Sequence, residues 1–122
     1  ISVSGAKDDD SQSSLFIQVG KDIIGEREKD ESGYALAISA AGHRVAISAV
    51  GNSDAGAYSG HVRVFEYRGD DWRQMGRDLN GDRSWDYSGS SVALSASGGV
   101  VAVGAKNSNG DESIGGQGFG GQ

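Results

Sequence analysis

The sequence predicts an all-β fold of repeated four-stranded antiparallel sheets, about two units per chain with an incomplete unit at each end. Three observations lead there. Residues 18–49 recur without a gap 56 positions later as residues 74–105, and 15 of the 32 aligned pairs are identical, among them Gly20/Gly76, Asp22/Asp78, Asp30/Asp86, Gly33/Gly89, Ser39/Ser95 and Gly42/Gly98. A repeat of this length marks an array in which each unit completes its neighbour's core. Apolar and polar residues also alternate over short segments bounded by Gly, Asn, Asp and Ser, which is the pattern of strands and turns. Finally, no segment sustains a 3.6-residue apolar period, so no helix is predicted.

Taken in order, residues 1–4 alternate and predict a short strand, followed by a solvated acidic loop over residues 5–14. Residues 15–19 form the next strand, with Phe16 at the repeat position of Trp72, an aromatic anchor in both copies. A polar connection over residues 20–33 ends in Asp30-Glu31-Ser32-Gly33, and its copy in Asp86-Tyr87-Ser88-Gly89. Asp and Ser ahead of Gly suit a side-chain-braced turn. Residues 34–39 and 44–49 then make a hairpin about a reversal at residues 40–42, apolar on both faces and therefore in need of cover above and below. After a loop over residues 51–60, residues 61–67 alternate as a third strand, with Val62 and Val64 opposite Phe65 and Tyr67. A turn at residues 68–71 leads to a fourth strand at 72–75. The second copy supplies a hairpin at residues 90–94 and 100–105, and no good strand follows Asn107.

The chain is thus out of phase with its own sheets. Residues 1–33 hold a partial unit and its connection, 34–80 a full unit, and 81–114 a second partial unit. Residues 115–122 form a glycine-rich tail without a copy upstream. All belong to one domain of 122 residues.

Composition narrows the function classes. A net charge of −6 and a pI near 4.7 argue against nucleic acid and anionic membranes as partners. No apolar run approaches the length of a membrane span, so no membrane insertion is expected. The absence of cysteine removes disulfides, thiolate metal sites and a thiol nucleophile together. The chain opens at Ile1, which points to a processed protein or a piece of a longer one.

Asp30-Glu31-Ser32-Gly33 with residues 34–39, Val45-Ala46-Ile47-Ser48-Ala49, Ser59-Gly60-His61-Val62-Arg63-Val64-Phe65 and residues 72–79 together resemble the FG-GAP repeats of integrin-α-like β-propellers. The resemblance covers roughly residues 15–110. It implies four-stranded blades, one per repeat, and an extracellular or cell-surface protein. Ser32-Gly33 and Ser88-Gly89 stand where the family has Phe-Gly, and Ser48-Ala49-Val50 and Gly104-Ala105-Lys106 where it has Gly-Ala-Pro. Calcium-binding members carry an Asp-rich loop between the first two strands. Here those loops, at residues 40–43 and 96–99, hold no carboxylate, and no cofactor or metal is expected.

Candidate sites are few. The run Asn107-Ser108-Asn109-Gly110-Asp111-Glu112 has a calcium-loop look but one carboxylate among its first four ligand-type positions, and reads as a turn. Asp22/Asp78 and Asp30/Asp86 recur in both copies, which suits turn braces better than a catalytic carboxylate pair. His43 and His61 have no nucleophile or metal constellation in sequence and read as surface or strand-edge residues. Trp85 and Tyr87 replace Lys29 and Glu31 of the first copy; they would stack on a ligand or, on the plainer reading, pack on a neighbouring unit.

No catalytic residue is expected. Unpaired strands at both ends predict a structural, self-associating module, with head-to-tail copies completing one another's units into a ring or filament. The residues expected at that joint are Val3, Leu15, Phe16, Ile17 and Val19 on one side. On the other are Val92, Leu94, Val100, Val101 and Val103. The chain itself is then the partner. The alternative is a two-blade piece of a larger propeller that binds glycans or another protein through its loops.

Overall fold

A computed structural model describes residues 1–8 and 14–107. The glycine-rich tail, the calcium-like run beyond Asn107 and the middle of the acidic loop lie outside the described residues. Eight strands form: β1 (Ser4–Asp8), β2 (Ser14–Gln18), β3 (Ser32–Ile38), β4 (Arg44–Ala49), β5 (His61–Arg68), β6 (Asp71–Asn80), β7 (Ser88–Leu94) and β8 (Val101–Ala105). They make three antiparallel sheets, a complete one ordered β3-β4-β5-β6 between two-stranded β1-β2 and β7-β8. This is the expected all-β, blade-like architecture with a full blade between two partial ones. A 3-10 turn at Glu28–Asp30 is the only helical element among the described residues.

The N-terminal segment needs a correction. The first strand is not residues 1–4 but Ser4–Asp8, so residues 5–8 are strand rather than loop. Ser4, Gly5 and Ala6 carry no strong apolar signal; the strand exists because β2 pairs with it along one edge. Residues 1–3 continue the pairing, with Val19 N donating to Val3 O and Ile23 N to Ile1 O, both at 2.8 Å. β6 likewise runs beyond the expected residues 72–75, to Asn80.

The repeat is reproduced in atomic detail. In both copies the first hairpin turns on a serine: Ser39 and Ser95 each accept on Oγ from the backbone of the return strand, at Arg44 and Val100. Gln18 Nε2 reaches Asp22 Oδ1 at 2.8 Å just as Gln74 Nε2 reaches Asp78 Oδ1 at 2.7 Å. Asp30 and Asp86 are both buried, and their carbonyls accept from Gly51 N and Asn107 N, themselves repeat partners. The Asp86 carboxylate also accepts from Arg83 N at 3.1 Å, bracing that turn, whereas Asp78 lies within β6 and bonds Arg63 and Gln74.

The same holds for strands that share little sequence. Ile1–Ile23, Val3–Val19 and Ser4–Gln18 match Val62–Leu79, Val64–Met75 and Phe65–Gln74 of the β5–β6 pair, register shift included. Gly20 and Gly76 sit at that shift with φ +72° and +70°, a left-handed backbone that glycine adopts without strain. Residues 1–8 are therefore the third strand of a blade, displaced by 61 positions rather than 56 because the following turn is longer.

Blades pack with a bulky face against a small one. Leu36 pairs with Ile47, Ile38 with Val45, and Tyr67 with Trp72, so these share one face of the full blade. Ile23, Val45, Ile47 and Trp72 are buried there with Ile1, Val3, Phe65 and Tyr67 against them, joining the first partial blade to the full one. Trp72 Nε1 donates to Val19 O at 2.8 Å across the same joint. The opposite face presents Ala37, Ala46 and Ser48, on which β7 lies. Gly89 is needed at that approach: a Cβ there would fall 2.4 Å from Ser48 Cβ, and its φ is +96°.

Candidate assembly interface

Each partial blade lacks what the other has. β1 and β2 are the third and fourth strands of a blade and β7 and β8 the first and second. Among the described residues β1 pairs with β2 alone and β8 with β7 alone. Each therefore presents one edge of unpaired backbone, which is a template for a further strand.

The faces next to these edges are uncovered in matching places. Leu36 and Ile38 are each about half exposed (51% and 52%), although their cross-strand partners Ile47 and Val45 are buried. The first partial blade meets the full one through Ile1, Val3 and Ile23, packed with Val45, Ile47 and Trp72, and leaves Leu36 and Ile38 open. Phe16 is 75% exposed, whereas its repeat partner Trp72 is 9% exposed. At the other end, Ser91, Ala93 and Ala102 are exposed and line a shallow depression of about 310 Å³. A cleft of about 250 Å³ opens between Val64, Met75, Leu79, Leu94 and Val101 where a third and fourth strand would sit.

The residues expected at the joint divide accordingly. Val3 packs on the buried cluster and is only partly buried itself. Val92, Leu94, Val101 and Val103 are half-buried on the side of their hairpin turned to the full blade. Leu15, Phe16, Ile17 and Val100 are exposed, and Val19 is half-buried. The sequence reading missed Tyr34, Leu36 and Ile38, the largest uncovered apolar group on the full blade. Their signal was the alternation of β3 itself, in which a bulky face and a small face each demand cover.

Two further clusters flank the blades. Tyr58 stacks on Trp85 with ring centroids 4.8 Å apart, Tyr87 lies 6.0 Å from Tyr58, and Lys106 Nζ stands 4.8 Å over the Tyr87 ring. Trp85 and Tyr87 thus pack on the loop of the preceding blade, the plainer of the two sequence readings, with Trp85 still 52% exposed. His61, expected at the surface or a strand edge, is the first residue of β5 and is buried at 4% exposure, lining a small cavity with Ile23, Ile24 and Gly25 of the β2–β3 connection. Burial and the nearby Arg63 push its pKa below the usual imidazole value. His43 is exposed. Arg63 grips Asp78 through two bonds of 2.8 and 2.9 Å and Glu26 at 2.8 Å. Those bonds hold the Asp78 carboxyl at about 2. No family model, curated protein or solved structure matches this chain.

Proposed function

We propose that this chain is a non-enzymatic structural module of an extracellular or cell-surface protein, and that copies join head to tail by completing each other's blades. The observation that carries the reading is the complementarity of the two partial blades. One supplies first and second strands, the other third and fourth, and the full blade between them supplies the template for their union. Transferring the β4–β5 register onto the joint pairs Val101 of one copy with Ser4 of the next, Ala102 with Val3, and Gly104 with Ile1. The same superposition lays Ser91, Ala93 and Ala102 of one copy over Leu36 and Ile38 of the next. It also brings Phe16 of the next copy to the cleft beside Met75. Backbone pairing and apolar burial then act together. The resemblance to FG-GAP repeats supports the outside location.

The direct experiment uses the lack of native cysteine. A Val3→Cys, Ala102→Cys double variant is expected to form disulfide-linked oligomers under mild oxidation, and mass by light scattering to exceed one chain in the unmodified protein. Removing residues 1–19 should abolish assembly. A native protein that stays a monomer at all concentrations rejects the reading.

A second reading rests on Trp85. A half-exposed indole stacked on Tyr58 is a surface on which a sugar ring or a protein side chain can lie. It belongs to a two-blade piece of a larger propeller that binds glycan or protein through its loops. Glycan-array binding that disappears in Trp85→Ala while the oligomeric state is unchanged would favour it.

A further inference from the structure

Four side chains able to bind a metal converge at one corner of the full blade from four separate segments. Glu26 comes from the β2–β3 connection, Asp54 from the β4–β5 loop, His61 from the first position of β5 and Asp78 from β6. One ligating atom of each lies within 4.8 Å of all the others. His61 is 4% exposed, yet its Nδ1 has no hydrogen-bond partner and stands 3.8 Å from Asp78 Oδ2. A buried nitrogen left unpaired is costly, and such groups in folded proteins almost always have a partner.

The surroundings are built for a cation. Arg63 Nη2 already sits on both Asp78 Oδ2, at 2.9 Å, and Glu26 Oε1, at 2.8 Å. Arg63 is a long, half-buried side chain, and its rigid guanidinium would swing away as a unit to admit an ion. Asp78 Oδ1 would keep its separate bond from Gln74 Nε2, at 2.7 Å. Hydrogen bonds of that kind orient a ligating carboxylate from behind. Asp54 would exchange its 2.7 Å pairing with Arg27, itself largely exposed, for the ion.

We propose that Glu26, Asp54, His61 and Asp78 form a site for a divalent transition metal of the zinc class, the ion replacing the guanidinium of Arg63. One imidazole nitrogen with carboxylate oxygens suits four-coordinate zinc, whereas calcium takes oxygen ligands alone and more of them. Small rotations of the acidic side chains bring the ligating atoms in, since metal bonds here are about 2 Å long. Because two arginines hold the same carboxylates, the site binds by exchange of cations. It does not depend on the assembly proposed above.

Calorimetric titration of the full chain with Zn²⁺, and the visible absorption of Co²⁺ as a report on coordination geometry, test this. One ion per chain is expected. His61→Gln should weaken binding by at least the roughly 10–100-fold that losing an outer-shell partner costs, and His43→Gln should leave it unchanged. Arg63→Gln should tighten it by on the order of tenfold or more, since a competing positive charge is gone. Affinity unaltered by His61→Gln, or lowered by Arg63→Gln, overturns the proposal. If those variants fail to fold, the ring resonances of the native protein decide: Zn²⁺ must shift those of His61, and a shift confined to His43 overturns the assignment.

Discussion

Gly33 and Gly89 occupy one position in the repeat and show what a single residue contributes. A Cβ on Gly33 would meet Ile1 Cγ2 at 2.9 Å; one on Gly89 would meet Val62 Cγ2 at 3.2 Å and Ser48 Cβ at 2.4 Å. Gly33 faces that one half-buried methyl, whereas Gly89 faces Ser48, Val62 and the His61 carbonyl at once, with Ser48 fixed in the second strand of the full blade. Gly89→Ala should therefore cost about 2–4 kcal/mol, and Gly33→Ala less, in denaturant midpoints. Trp72 offers a milder case: Trp72→Phe keeps most of the packing and removes the bond to Val19 O, with an expected loss of about 1 kcal/mol. These roles were partly legible beforehand. Identity at Gly33/Gly89 and Asp30/Asp86 marked them as structural, because a residue repeated with the fold serves the fold. The burial of His61 was not legible, since the residues that share its cavity, Ile23 and Gly25 among them, lie far from it in the chain and no local pattern reports that.

Strands with an alternating apolar pattern, β3, β4, β5 and the second hairpin, were found in sequence to within two residues, because a half-buried sheet writes its period into the chain. β1 was expected at residues 1–4 and falls at Ser4–Asp8, for the opposite reason. Its Ser4-Gly5-Ala6 has the small and polar residues of a strand whose outer face meets nothing in the single chain, and only its pairing to β2 defines it. What joins these elements is in part electrostatic. Asp71 on β6 accepts from Lys21 N in the first partial blade at 2.9 Å and from Trp72 N at 2.8 Å. Those two backbone bonds, Lys21 foremost, hold its carboxyl below the usual aspartate range. A carboxyl depressed in the folded state stabilises above its unfolded pKa, and that contribution fades as the pH falls through the folded value. Thermal midpoints should thus drop on acidification through and below the ordinary aspartate range, and Asp71→Asn should flatten that limb of the profile while lowering the neutral plateau.

For the molecule as a whole, Leu36 and Ile38 are the place to test folding apart from the proposed association. They are half exposed in the single chain, so Leu36→Asp with Ile38→Asp should leave the far-ultraviolet spectrum and melting of the monomer nearly unchanged while preventing oligomers in sedimentation. Each copy carries a net charge of −6, so added salt, by screening repulsion between copies, should favour the larger species. Because every copy brings one full blade and two complementary halves, a closed ring of such copies holds an even number of blades, and a seven-bladed ring cannot form. The bulky-against-small packing of successive blades has one more consequence. Its two sides are unlike, so a growing array of copies would have a distinguishable head and tail, and a subunit spoiled on one side alone would still dock by the other. Mixed in at low proportion, the Leu36→Asp, Ile38→Asp chain would act as a terminator, and the average length of the product would be set by the mixing ratio.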